Sequence, residues 1–96
     1  MAKAKHYVFD NQNEQVWIFC PGCKTHHAFT TKHPTFTPWQ WNGSEQNPTF
    51  SPSMLVNKMD PESRCHSFVR NGKIQFLDDC FHGLKNQTVE LPEIED

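Results

Sequence analysis

The sequence predicts a small, β-rich single domain with little helix, in which antiparallel hairpins carry a zinc-ribbon-like metal site. Three observations support this prediction. Asn71-Gly72, the dipeptide that best tolerates the positive φ angles of a type I′ turn, lies between two apolar segments. The segment Cys20-Pro21-Gly22-Cys23 has the spacing of a metal-binding half-site. Four prolines within residues 31–52 exclude helix from that part of the chain.

Strands are predicted on both sides of the Cys-x-x-Cys turn. His6–Phe9 is a short strand candidate, and a polar, turn-forming run ends it. Gln15–Phe19 is rich in β-branched and aromatic residues and leads directly to Cys20. His26–Thr30 is expected to return antiparallel to it. A strand, a Cys-x-x-Cys turn and a returning strand form the usual half of a zinc-ribbon-like site.

The proline-rich middle of the chain is expected to contain loops and short edge strands. Trp39–Trp41 alternates as a strand would, and Ser53–Asn57 is the next strand candidate. Two prolines and three hydroxyl residues make Pro48–Ser53 an unusual segment. Neither Ser51 nor Ser53 has the glycine-flanked elbow of a hydrolase nucleophile. We therefore expect this segment to be a rigid loop that braces the metal-binding hairpin.

The central hairpin has a register that its two-residue turn determines. Cys65–Arg70 and Lys73–Asp78 are the predicted strands, so that Arg70 pairs with Lys73 and the alternation continues outward. Further along the chain, Asp79–Gly83 is predicted to form one helical or 3₁₀ turn, and Thr88–Leu91 a last strand. The domain spans residues 1–96, with residues 1–4 and 93–96 as frayed tails.

The composition excludes several classes of function. Net charge is −2 and no basic run exceeds the Lys3/Lys5 pair, so duplex nucleic acid is an unlikely partner. No apolar run approaches the roughly 20 residues of a membrane span, and no apolar signal segment is present at the N-terminus. We therefore expect a cytoplasmic protein. In a reducing compartment, four cysteines favour metal binding over disulfides.

The predicted metal is a structural zinc ion held by Cys20, Cys23, Cys65 and Cys80, although such a site also accepts iron. His66 and His82 are alternative ligands, because they lie beside the last two cysteines in the sequence. His27 follows the Cys-x-x-Cys turn closely and is expected to hydrogen-bond a metal thiolate.

Two other functions remain open at this stage. His66, Asp79 and His82 are candidate catalytic residues of a zinc-dependent hydrolase, since a histidine near a carboxylate and a metal can act as a general base. The structural alternative is that Asp79 caps a turn and the histidines are half-buried. Trp39 and Trp41 could stack the bases of single-stranded nucleic acid, or simply belong to the core.

The chain also resembles a known family. The motifs are CPGCKTHH at 20–27, WQWNGSEQNPTFSPSMLV at 39–56 and RCHSFVRNGKIQFLDDCFHGLKNQTVELP at 64–92. They resemble a family of short phage proteins, some of which carry the label "ammonia monooxygenase". No copper-type histidine cluster in the sequence supports oxygenase chemistry.

The resemblance implies a phage or prophage origin and action in the cytosol of a bacterium. More distant relatives accompany bacterial ubiquitin-like conjugation systems. In those, the Cys-x-x-Cys pair and the histidine before the hairpin match Cys20, Cys23 and His66, which favours His66 as a ligand. The function we predict is that of a zinc-stabilised accessory protein that binds a host or phage protein, for instance to counter a host defence system.

Overall fold

Nine antiparallel strands form the fold of this chain, whose computed structural model describes residues 2–35 and 37–94. The first sheet has the order β1-β2-β3, the second β4-β5 and the third β6-β7-β8-β9. The strands are β1 Ala4–Asp10, β2 Asn13–Cys20, β3 Thr25–Lys32, β4 Gln40–Trp41, β5 Phe50–Ser51, β6 Met54–Val56, β7 Cys65–Arg70, β8 Lys73–Phe76 and β9 Thr88–Glu90. The prediction of a β-rich fold with little helix is confirmed.

The central hairpin forms as its turn predicts. Asn71 and Gly72 have φ angles of 52° and 78°, and Arg70 pairs with Lys73. β8 nevertheless ends at Phe76: the amide of Leu77 still donates to the carbonyl of His66, and the chain then turns at Asp78 and Asp79.

The prediction of a helical turn over Asp79–Gly83 is wrong. These residues form turns and bends, and Asn86, not Gly83, adopts the left-handed conformation. The reason lies at the start of the segment. The carboxylate of Asp79 contacts the imidazole of His66, so it does not cap a helix.

The hydrophobic core lies between the first and third sheets. Phe29 of β3 stacks on Phe50 of β5 with ring centroids 3.9 Å apart, which joins the first sheet to the second. Val69 and Ile74 face each other across the central hairpin and are fully buried. The core therefore combines side chains from all three sheets in one cluster.

The two ends of the described chain are paired with the rest of the fold. Ala2 forms a β-bridge with Ile94, and Lys3 and Ala4 donate backbone hydrogen bonds to the carbonyl of Glu45. Ala4, which the sequence places in a frayed tail, is 1% exposed. Within residues 2–35 and 37–94, no helix is long and apolar enough to span a membrane.

Candidate functional site

Ser53, His66 and Asp79 form a hydrogen-bonded triad at one end of the third sheet. Ser53 Oγ lies 3.0 Å from His66 Nε2, and His66 Nδ1 lies 3.2 Å from Asp79 Oδ2. His66 belongs to β7, Ser53 directly precedes β6, and Asp79 follows β8. Because Leu55 pairs with His66, side-chain alternation places Ser53 on the same face of the sheet as the imidazole.

The carboxylate of Asp79 determines the tautomer of His66. An ionised carboxylate can only accept hydrogen bonds, so Nδ1 of His66 carries the proton that it donates to Asp79. Nε2 then has a free lone pair and accepts the hydroxyl proton of Ser53. This arrangement prepares the imidazole to act as a general base toward Ser53.

The backbone around Asp79 is also fixed. Nε of Arg64 donates a hydrogen bond of 3.2 Å to the carbonyl oxygen of Asp79. Oδ1 of the same residue is buried and has no hydrogen-bond partner among the described residues. The side chain of Asp79 is 35% exposed and that of His66 26% exposed, so the triad borders the solvent.

A second group of side chains lies directly behind the triad, where the first and third sheets meet. Each member offers one ligand atom, and these atoms all lie within 4.8 Å of one another. The members are Cys20, Cys23, His27 and Cys65. The Cys-x-x-Cys segment curls around its own first sulfur, since the amide of Cys23 donates to Cys20 Sγ at 3.3 Å. Such a group is close enough to hold a metal ion.

The thiols of Cys20, Cys23 and Cys65 shift one another's pKa values. A hydrogen bond from the Cys65 thiol lowers the pKa of Cys20, and the same hydrogen bond raises the pKa of Cys65. Burial, followed by the negative charge on Cys20, raises the pKa of Cys23. The three sulfurs therefore lie close enough for each to shift the pKa of its neighbours. A cation at their centre would relieve the mutual repulsion of several thiolates.

His27 fits this group as a fourth ligand. It pairs with Ile18 across β2 and β3 and points inward, where it is 6% exposed. Its Nε2 atom is buried and has no hydrogen-bond partner within residues 2–35 and 37–94. A buried, unpaired imidazole nitrogen beside three thiols is costly in the absence of a metal, and a metal ion would satisfy it.

His82 and Cys80 lie on the other side of Cys65. His82 Nε2 is 3.5 Å from Cys65 Sγ, and its Nδ1 accepts a hydrogen bond from the amide of Leu84. Nε2 of His82 therefore carries the proton and donates it to the sulfur. Burial also lowers the pKa of His82, which favours this neutral form.

Residues 1–77 match the family model BubE, described as a bacterial ubiquitination-like system serine protease. The chain belongs to the BubE family. No curated protein and no solved structure matches it. The part of the chain that matches BubE contains Ser53, His66 and the Cys20/Cys23/His27/Cys65 group, whereas Asp79 follows it.

The structure brings only part of the predicted metal site together in this BubE chain. Cys20, Cys23 and Cys65 lie in one group, while Cys80 and His82 form a second group with Cys65. The Cys80 thiol donates to the carbonyl of His66 at 3.1 Å and accepts from its amide. The His66 imidazole belongs to neither group, because both of its nitrogens are engaged by Ser53 and Asp79.

Sequence reasoning assigned Ser53 only a structural place in a rigid loop and placed His27 only at the edge of the metal site. The signal for His27 was available: it lies four residues after Cys23 and alternates inward with Phe29. Ser53 had no local signal. Its partner is thirteen residues away on another strand, and only the pairing of β6 with β7 brings them together.

Proposed function

We propose that this BubE-family chain is a serine protease in which Ser53 is the nucleophile, His66 the general base and Asp79 the residue that orients the imidazole. The observation that carries the proposal is the position of His66, whose two nitrogens contact a serine hydroxyl on one side and a carboxylate on the other. The family description supports the same reaction class.

The chemistry follows from these contacts. His66 accepts the hydroxyl proton as Ser53 Oγ attacks the carbonyl carbon of a peptide bond, and it returns that proton to the leaving amine. Water then hydrolyses the acyl-serine, with His66 again accepting and returning a proton. Asp79 remains ionised and stabilises the imidazolium that forms in each half-reaction.

We further propose that the cysteine group holds one structural zinc ion through Cys20, Cys23, Cys65 and His27. The buried, unpaired Nε2 of His27 and the tautomer of His82 support this ligand set over one with Cys80 or His82. When bound, the ion would neutralise the thiolates and cross-link the first sheet to β7.

The proposed ion lies where it can stabilise the triad. Cys65 immediately precedes His66 in β7, and Cys80 immediately follows Asp79. The Cys80 sulfur bonds to both backbone groups of His66, which ties the segment that carries the carboxylate to the strand that carries the base. Rigid support of this kind is what a catalytic constellation requires.

The two other functions predicted from the sequence gain no support from the contacts. A zinc hydrolase would need His66 near the metal, but its imidazole is held by the triad. The rings expected to stack bases are packed against the core. Trp39 makes an edge contact with Phe29, and the indole of Trp41 donates to the carbonyl of Ser44.

Covalent labelling tests the proposed reaction class. Purified protein is treated with an alkyl fluorophosphonate, which phosphonylates only an activated serine, and the modified residue is mapped by mass spectrometry. We expect one adduct, on Ser53. An unmodified protein, or an adduct on Ser51 or another serine, would exclude the proposal. Elemental analysis of the same sample tests for one zinc per chain against iron or no metal.

A second candidate function is supported by an apolar stretch on β1. Tyr7, Val8 and Phe9 are 36%, 63% and 59% exposed on the outer strand of the first sheet. Tyr7 and Phe9 stack on one face of β1 and Val8 points to the other, so these exposed apolar side chains flank the outer edge of the strand, which favours a protein-binding surface. This would be the accessory role predicted from the sequence, with a host or phage protein as partner in a bacterial cytoplasm.

Capture experiments separate this role from proteolysis. The double variant Val8→Thr/Phe9→Ser should lose a partner that the wild type captures from bacterial lysate, whereas Ser53→Ala should keep it. Met59→Ser is the matched control, because Met59 is 90% exposed but lies outside the stretch. Equal capture by the double variant and the control would contradict this second function.

A further inference from the structure

The outer edge of β6 is an unpaired strand edge next to the proposed nucleophile. β6 is the first strand in the order β6-β7-β8-β9, so β7 pairs with only one of its two sides. Leu55 lies at its centre and is 38% exposed. Among the described residues, no strand pairs with the other side of β6.

The hydrogen-bond pattern shows which way the backbone of Leu55 points. The carbonyl of His66 accepts from the amide of Leu77, so the main-chain groups of His66 face away from β6. Leu55 is opposite His66 and therefore forms a non-hydrogen-bonded pair with it. Consequently the N–H and C=O of Leu55 point outward, away from β7.

Two outward-pointing backbone groups form a minimal docking site for an extended chain. A polypeptide that pairs with them would run along β6, and Ser53 lies two residues from Leu55 on the same face of the sheet. Main-chain pairing of this kind binds a substrate with little regard to its sequence. Edge strands left free at this position otherwise carry a risk of aggregation.

We propose that the free edge of β6 binds the substrate polypeptide in an extended conformation, through hydrogen bonds to the N–H and C=O of Leu55, and so presents a peptide bond to Ser53. This inference rests on the proposed protease activity and names its substrate class: an unfolded or terminal segment of a protein chain. A small acyl ester cannot make these backbone hydrogen bonds.

Backbone methylation of a peptide probe tests the pairing. The rate of Ser53 labelling is measured with a pool of tripeptidyl diphenyl phosphonates that carry mixed side chains. It is measured again with versions of the pool in which the backbone nitrogen of one residue of the probe at a time is methylated. We expect methylation at one position to slow labelling about tenfold, because one backbone hydrogen bond is lost. Leu55→Pro, which lacks the outward N–H, should abolish this difference, whereas Leu55→Ala should keep it.

The outcomes separate the inference from the proposed function. Equal labelling by all pools in the wild type, or a difference that persists in Leu55→Pro, overturns the pairing while leaving the serine protease intact. Failure of both the pools and an alkyl fluorophosphonate to label Ser53 overturns the protease itself. If the wild type is a dimer in solution and Leu55→Pro is a monomer, the edge pairs with a second copy of the chain and the inference fails. Should Leu55→Pro not fold, the methylation series in the wild type still decides.

Discussion

The hydroxyl of Ser53 lies 3.0 Å from Nε2 of His66, although the residues are thirteen positions apart and Ser53 precedes β6 whereas His66 lies in β7. The pairing of Leu55 with His66 brings the two side chains onto one face of the third sheet. Asp79, which follows β8 at the open end of the central hairpin, completes the arrangement by contacting His66. The position of the proposed active site is therefore set by sheet register and not by a local sequence motif.

Replacement of the proposed nucleophile should abolish turnover without affecting the fold. We expect Ser53→Ala to reduce hydrolysis of p-nitrophenyl acetate by at least about 10³-fold, because water alone must then attack the ester. Ser51→Ala is the control, since Ser51 is exposed and makes no contact with His66 in the described structure. Circular dichroism should show the same fold for both variants. Equal losses in the two variants would point to loop damage instead of a lost nucleophile.

Removal of the charge on Asp79 should disable His66 while its position is preserved. In Asp79→Asn the side-chain amide can donate to Nδ1, which favours the tautomer that cannot accept the proton of Ser53. Losses of about 10⁴-fold are known for such a change in serine proteases, and we expect at least 100-fold slower fluorophosphonate labelling. Asp78→Asn is the matched control, because the neighbouring side chain is exposed. Labelling of Asp79→Asn at the wild-type rate would exclude Asp79 from the triad.

The sequence predicts the fold better than the active site. Asn71-Gly72 specified the turn and the register of the central hairpin, because a type I′ turn has few alternatives. The strands around Cys20 followed from β-branched and aromatic composition. In contrast, Ser53 lies in a segment whose prolines and hydroxyls suggested only rigidity.

Only half of the metal-binding group could be predicted from local sequence spacing. Cys20 and Cys23 are close in the sequence, and their spacing alone predicts convergence on one ion. Cys65 and Cys80 were both predicted as ligands, and the structure places Cys65 with Cys20, Cys23 and His27, and Cys80 with Cys65 and His82. Cys65 begins β7 and faces the core, whereas the Cys80 sulfur is occupied by the backbone of His66.

His27 and His82 should differ in their effect on zinc affinity. His27→Ala removes a proposed ligand, so zinc affinity should fall by more than the roughly 10- to 100-fold that is typical of hydrogen-bonding partners outside the ligand set. His82→Ala removes an N–H···S hydrogen bond and should stay within that range. The measurement is competition for zinc with a chromophoric chelator.

His26→Ala provides the control for His27, because its side chain is exposed on the other face of β3. It should bind zinc as the wild type does. If His82→Ala weakens zinc binding more than His27→Ala, then His82 is the fourth ligand. Chelation of the metal should also slow fluorophosphonate labelling of Ser53, since Cys65 directly precedes His66.

Gly22 and His82 should be energetically coupled. A methyl group added at Gly22 would overlap with the imidazole of His82, so Gly22→Ala should destabilise the protein by about 1–3 kcal/mol through overpacking. Gly22 does not adopt a left-handed conformation, so its backbone tolerates alanine and the cost comes from the ring. Gly83→Ala is the control, because a methyl group there has no neighbour within 4 Å.

In the double variant Gly22→Ala/His82→Ala the methyl group occupies the space of the lost ring. The loss in free energy of unfolding, measured by chemical denaturation, should therefore be smaller than the sum of the two single losses by at least about 0.5 kcal/mol. Additive losses would show that the Cys-x-x-Cys turn and His82 do not pack as described.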